Sequence, residues 1–388
     1  MEVKAYQRLI LFAVLFTIML GFGIIIPVLP FFSRELGASS LDLGLLMASY
    51  SVMQFIFAPI WGNLSDRVGR KPLLIMGVIG FALSFLIFGL AQRLWVLFLA
   101  RIVGGLLSSA AMPTAMAYIS DTTDEKSRGQ GMGMMGAAMG LGVIFGPAIG
   151  GFLAGYHVST PFFVAAALAA VNVIFIIIFL PESLLEEERT EKKSKRPSLT
   201  KGLQSSIGVL LVVAFIVSFA AANLEATFAY FASDNFGFGE KEMGLAFMIM
   251  GIVTVVQQGL VVGYVINRFG EKAIMLAGLF ITASAYLLVL SAVGLVSLIF
   301  FIALSGVGMG LLRPAMNSLV SKQTPFNQGV SMGMVGSFDS LGRIIGPIWG
   351  GFTYMFGTSY PYITGAIIMF SVFLFIYFSK TLQFNSVS

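Results

Sequence analysis

The chain has 388 residues, of which 57% belong to the AVILMFWYC set and only 11% are charged. A soluble globular chain carries about 25% charged residues, so these charges are too few to coat a water-soluble surface. The absence of Cys excludes disulfides, thiolate metal sites and Cys nucleophiles, a single His leaves no room for a His-rich metal centre, and the net charge of +5 is not gathered into a soluble nucleic-acid-binding module.

A membrane span needs roughly 20 mainly apolar residues. The uncharged runs predict twelve helices, near 8–32, 43–62, 72–91, 94–120, 130–155, 160–180, 204–231, 243–266, 272–291, 295–320, 330–356 and 359–380. Their length favours helices over a barrel. The first run contains Pro27 and Pro30 and lacks a small-residue cleavage site, so it reads as a span and not as a signal peptide. The second helix ends in Gly62-Asn-Leu-Ser-Asp66-Arg67-Val-Gly69-Arg70-Lys71. The fourth carries Arg101 and Pro113, and the fifth Gly142, Gly146, Pro147, Gly150 and Gly151. His157 falls in the short loop that follows. The stretch 181–203, with Glu186-Glu187-Glu188 and Lys192-Lys193, is hydrophilic and reads as a solvated linker. The seventh helix carries Glu225, the tenth Arg313 and Pro314, and the eleventh Asp339 and Arg343. With the N-terminus inside, 17 Lys/Arg fall in inner segments and 3 in outer loops, which places both termini in the cytoplasm. The expected architecture is therefore an all-α integral membrane protein. Two six-helix bundles, 1–181 and 204–388, are joined by a cytoplasmic linker, 182–203.

The halves repeat. Gly142, Gly146, Pro147, Gly150 and Gly151 return as Gly342, Gly346, Pro347, Gly350 and Gly351, an offset of 200. The Gly62–Lys71 loop has an echo at Gly263–Lys272, and Pro113 matches Pro314. Parallel six-helix repeats of this kind match an alternating-access layout, with a site between halves at mid-membrane. Glycines at i, i+4 and i+8 share one helix face and let backbones approach closely; Pro147 and Pro347 bend their helices. The glycine face reads either as plain tight packing or as a stiff, dry contact that keeps a pathway from leaking. Asp66 is placed to sit against a helix N-terminus or an Arg of the other half, where it would act as a conformational latch with Arg67, Gly69, Arg70 and Lys71.

These residues resemble a family. Gly62-x3-Asp66-Arg67-x-Gly69-Arg70-Lys71 looks like the loop 2–3 motif of the major facilitator superfamily. Leu97-x3-Arg101-x2-Gly104-Gly105 resembles its helix 4 motif in proton-coupled exporters, although Gly104 stands where Gln is common. Gly142-x3-Gly146-Pro147-x2-Gly150-Gly151 is similar to the helix 5 antiporter motif, and Leu20-Gly21-x5-Pro27-Val28-x-Pro30 to the helix 1 pattern of 12-helix drug–proton antiporters. The likeness runs the length of the chain. It is nearest to bacterial multidrug efflux proteins of the Gram-positive quinolone-exporter type, with tetracycline exporters nearby. It implies a monomer in the inner (cytoplasmic) membrane that exports small molecules in exchange for protons, without cofactor or nucleic acid.

Ionisable groups inside a membrane are costly and mark function. Five are expected there: Arg101, Glu225, Arg313, Asp339 and Arg343. Arg101 reads as a structural or snorkelling Arg from its position alone, and as a proton-coupling residue by the resemblance. A desolvated Glu225 is suited to take up and release a proton and to attract a cationic solute. Asp339 and Arg343, at i and i+4, either neutralise each other or open to make Asp339 a second proton site. Arg313 is a candidate partner of either acid. Some relatives carry an acid a few places before this Arg, where the sequence here reads Gly308-Met309-Gly310-Leu311-Leu312. Phe16, Tyr50, Gln54, Met112, Asn223, Phe228, Gln257 and Met309 are the candidate pocket residues, the polar ones reading equally as inter-helix ties. No nucleotide loop, metal cluster or nucleophile–His pair argues for an enzyme. The expected activity is proton-coupled export of lipophilic, often cationic drugs; the alternative is export of a single physiological solute such as a sugar or a metabolite.

Overall fold

In lipid a backbone must satisfy its own N–H and C=O groups, and a continuous apolar run does so as a helix. The computed structural model describes residues 5–123, 125–184 and 199–378. Lys4, the basic run at 189–196, Lys380 and most of the predicted linker lie outside the described residues. Twelve long helices occur among the described residues. In the first half they are α1 (Ala5–Glu35), α2 (Ser40–Val68), α3 (Arg70–Gly89), α4 (Leu94–Thr122), α5 (Glu125–Ala154) and α6 (Thr160–Phe179). A single turn at Leu199–Leu203 precedes α7 (Gly208–Phe236), α8 (Glu240–Phe269), α9 (Glu271–Val289), α10 (Leu295–Gln323), α11 (Gln328–Tyr354) and α12 (Tyr360–Phe378). Eleven are long and apolar enough to cross a membrane. The other, α11, carries Asp339 and Arg343 among many Gly and Ser residues.

Two helices depart from regular α geometry. Pro113 has no N–H to give to the Ser109 carbonyl, and α4 tightens to a 3₁₀ turn at Ser108–Ala110 just before it. Side chains add bonds to carbonyls of this region: Ser108 Oγ donates to Gly104 O at 2.6 Å, and Trp61 Nε1 of α2 donates to Leu106 O at 2.6 Å. In α8 the backbone widens to a π turn at Gln257–Val261. Such turns are rare and frequent at functional sites.

The chain divides into two compact units. The first holds Met1–Ser194 with Ala232–Met248, and the second holds Lys195–Phe231 with Ile249–Ser388. In the first unit α5 lies backbone to backbone on α1. A Cβ on Gly142 would stand 2.8 Å from the Phe16 carbonyl oxygen, one on Gly146 2.6 Å from that of Leu20, and one on Gly150 2.9 Å from the Ile24 Cα. Asn172 of α6 donates to Thr17 Oγ1 of α1 at 2.7 Å, which is an inter-helix tie. Phe88 of α3 stacks on Phe162 of α6, ring centroids 5.1 Å apart. In the second unit the same glycine device joins α11 to α7: a Cβ on Gly342 would lie 2.7 Å from the Phe219 nitrogen, and one on Gly346 3.1 Å from the Phe219 Cα. Asn223 of α7 donates to the Pro361 carbonyl of α12 at 2.9 Å, and Tyr286 of α9 packs edge-on against Tyr362.

Candidate functional site

The second unit gathers the charges of three helices. Arg313 on α10 lies within electrostatic reach of Arg343 and Asp339 on α11 and of Glu225 on α7. All four are partly buried. Two carboxylates and two guanidinium groups therefore share one region of membrane-spanning helix, where opposite charges lower the cost that each would carry alone. Glu225 also acts electrostatically on the wholly buried Tyr286, whose hydroxyl donates to the Ala220 carbonyl at 2.6 Å. Asp339 does not close an i, i+4 pair with Arg343: among the described residues its hydrogen-bond partner is Ser218 of α7, whose Oγ donates to Asp339 Oδ1 at 2.7 Å. Ser218 escaped the sequence reading because a Ser in an apolar helix carries no signal until its neighbour is known.

Arg101 lies in the first unit, on α4, and is 4% exposed. Its guanidinium sits over the Tyr50 ring, 5.5 Å from the centroid, within the range of a cation–π contact. Tyr50 OH and Ser108 Oγ are 3.1 Å apart. Around them Phe22, Ile25, Phe81 and Phe85 wall a small cleft that also reaches Ser84. An always-charged side chain thus lies against aromatic faces in the first unit.

At the α2–α3 corner the expected latch residues are joined within the first unit. Asp66 Oδ1 accepts from Arg70 Nη1 at 2.5 Å, and Arg70 Nε donates to Asp121 Oδ2 of α4 at 2.8 Å. The group at the N-terminus of α3 is Glu182, which follows α6: its carboxylate accepts from the backbone nitrogens of Arg70 at 2.7 Å and Lys71 at 3.1 Å. Free N–H groups at a helix start favour an anion. Gly69 has φ +115°, and a Cβ there would lie 2.5 Å from Glu182 Oε2, so backbone conformation and close approach both require glycine. Lys71 Nζ donates to the Ile177 carbonyl at 2.9 Å, and Arg67 is exposed. Replacing Glu182 with Ala strands the two donors. The expected cost is about 1 kcal/mol, read as a lower thermal midpoint in detergent, with Glu182→Gln retaining part of the cap.

The echo in the second half inverts this charge pattern. Glu271 and Lys322 stand 201 positions after Arg70 and Asp121, and they too are paired, with Ser318 donating to the same Glu271 carboxylate oxygen at 2.9 Å. The offset alone could have revealed this pair. In the first unit, Arg34 grips Asp234 through two bonds of 2.7 and 3.2 Å.

The softer pocket residues divide by burial. Phe228 and Asn223 are enclosed in the packing of the second unit. Gln257, 9% exposed, opens the π turn, and its Oε1 is where a Cβ on Gly310 of α10 would land at 2.6 Å. Tyr50 is buried with Arg101, whereas Phe16, Gln54, Met112 and Met309 keep partial exposure. His157 Nδ1 accepts from the Ser159 nitrogen at 3.2 Å in its turn.

A sequence profile of the Major Facilitator Superfamily matches residues 11–256 and 210–385. Multidrug resistance protein 2 of Bacillus subtilis (strain 168) is 34% identical, over 93% of this chain and 92% of its own length. Tetracycline resistance protein, class B, of Escherichia coli is 30% identical, over 88% of this chain and 90% of its own. In fold, the crystal structure of the human organic anion transporter MFSD10 (TETRAN) is similar at a TM-score of 0.70 and 23% identity, covering 95% of this chain and 98% of that one.

Proposed function

Because the chain belongs to the Major Facilitator Superfamily and is a multi-pass protein of the cytoplasmic membrane, we propose that it is a proton-coupled antiporter that exports lipophilic, often cationic drugs by alternating access. Its relatives carry the names of multidrug and tetracycline resistance proteins. The observation that carries the reading is the meeting of Glu225, Asp339, Arg313 and Arg343 in the second unit.

The chemistry follows from charge in a poor solvent. An ionised carboxylate at membrane depth is tolerated only with a counter-charge, and protonation relieves the same cost. Glu225 and Asp339 are thus each able to hold either a proton or the attraction of a cation, which makes proton and substrate compete. Arg313 and Arg343 respond to that exchange because they lose compensation when an acid takes up its proton. Arg101, on its aromatic seat, supplies fixed positive charge on the first unit and limits proton leak. Phe16, Gln54 and Met112 on the first unit and Met309 on the second are the pocket candidates that keep partial exposure; soft Met and aromatic side chains re-pack around varied apolar shapes. The Asp66–Arg70–Asp121 chain acts as the latch of the α2–α3 corner. Both termini face the cytoplasm, following the 17-to-3 distribution of Lys and Arg, and the protein works as a monomer.

Purified protein in liposomes with an imposed pH gradient tests the proposal directly. Ethidium and a panel of antibiotics should move uphill only while the gradient stands, and a protonophore should stop them. Gradient-driven movement of one sugar or metabolite with the whole panel inert would replace this reading by that of a single-solute exporter.

A further inference from the structure

We propose that Ser218 is a positioning residue for Asp339, holding that carboxylate on α7 and away from Arg343 so that it remains open to proton exchange. The inference rests on the reading of Asp339 as a proton site and adds a residue to it.

Three observations converge. Ser218 Oγ donates to Asp339 Oδ1 at 2.7 Å. The side chain is 1% exposed, so water does not compete for this hydroxyl. The approach is made possible by a glycine of the repeated motif: a Cβ on Gly342 would lie 2.9 Å from the Ser218 Cβ and 2.7 Å from the Phe219 nitrogen. Gly342 thus sets α11 against α7 at backbone distance, and Asp339, three residues earlier, is brought within reach of a side chain as short as Ser.

The consequence is a choice between two partners. On a helix, Asp339 and Arg343 are one turn apart and would ordinarily close on each other. A buried carboxylate locked to its own Arg is poorly placed to take up a proton. The Ser218 hydroxyl offers a neutral donor instead, which stabilises the ionised carboxylate without adding charge. Of the charged groups nearby, Arg313 on α10 acts on Asp339, and Arg343 on Asp339's own helix and Glu225 on α7 act on the same Arg313; α12 contributes only tyrosines to the titratable set, and the turn at Leu199–Leu203 contributes Lys201. Ser218 and Glu225 are seven residues apart on α7, two turns on one face, so a single helix presents the hydroxyl and the first acid to the same region.

The test compares pH profiles of efflux in proteoliposomes for the parent, Ser218→Ala, Ser218→Thr and Asp339→Asn. Loss of a hydrogen bond to a partly buried carboxylate should shift the midpoint of the Ser218→Ala profile to more alkaline pH by about one unit, and Ser218→Thr, which keeps the hydroxyl, should restore the parent midpoint. Should the Ala variant fail to accumulate, Ser218→Cys, with a weaker donor of similar shape, reads the same shift. A Ser218→Ala rate that falls equally at every pH, with no movement of the midpoint, would mean that Ser218 only packs and would overturn the proposal. Asp339→Asn separates this from the underlying reading. If its profile equals the parent's, Asp339 is not a proton site and the proposal falls with it; if its profile flattens while Ser218→Ala leaves the midpoint in place, only the role of Ser218 is lost.

Discussion

Replacing Glu225 with Gln should abolish proton-driven drug efflux while leaving the protein in the membrane. Gln has nearly the same volume as Glu and keeps an acceptor, but it cannot bind and release a proton. Glu225 lies part-buried on α7, and its charge acts on both Arg313 and Tyr286. The substitution removes one of the two acids that compensate two guanidinium groups, so the remaining charges no longer balance. The expected loss of pH-gradient-driven ethidium efflux is at least about tenfold, equivalent to about 1.4 kcal/mol in the driving step. Glu225→Asp, which retains a titrating group on a shorter arm, should recover part of the rate. Unchanged ethidium export from energised cells carrying Glu225→Gln would end the assignment of this residue to coupling.

The second large effect concerns folding. Gly146→Val should sharply reduce the yield and thermal midpoint of the protein. The added Cβ would stand 2.6 Å from the Leu20 carbonyl oxygen and 2.7 Å from the Gly23 Cα. Both atoms belong to the backbone of α1, so no side chain can swing aside and the helices must separate. Overpacking of this kind costs about 1–3 kcal/mol and sometimes more, and here it also opens the α1–α5 seam along its neighbours Gly142 and Gly150. Gly136→Val is the internal control on the same helix, since nothing lies within 4 Å of a Cβ there. Equal thermal midpoints for the two variants in detergent would show that α5 does not depend on its glycines for contact. The same comparison applies to Gly346 on α11, where Phe219 of α7 is the neighbour.

Much of this was readable without coordinates, for an identifiable reason. A helix in lipid has to be uncharged for roughly 20 residues and closes its hydrogen bonds locally, so the gaps between charges mark most helix ends closely, the largest miss being α2, which runs on to Val68 instead of 62. The one that departs most from an apolar run, α11, is the one that carries Asp339 and Arg343. The glycine spacing likewise marked a close-packed face, because only a residue without a side chain permits backbone contact. The α2–α3 corner was harder. Asp66 was expected to face a helix N-terminus or the other half, yet the anion at that N-terminus is Glu182, more than a hundred residues away, and Asp66 pairs with Arg70 in its own corner. No local pattern distinguishes Glu182 from the acids of the linker that follows it.

The sequence by itself determined how many helices there are, that they repeat with an offset of 200, which residues carry charge into the membrane, and which glycines lie on one face. These are properties of single segments, set by solvent and by backbone geometry. Only the tertiary structure decided which charge meets which. Asp339 turns to Ser218 instead of the Arg343 one turn away, Arg101 rests on Tyr50, and Arg70 reaches Asp121. Such choices depend on the rotation of each helix about its axis and on approaches of a few ångströms permitted by residues such as Gly342, and those are fixed by packing between segments distant along the chain.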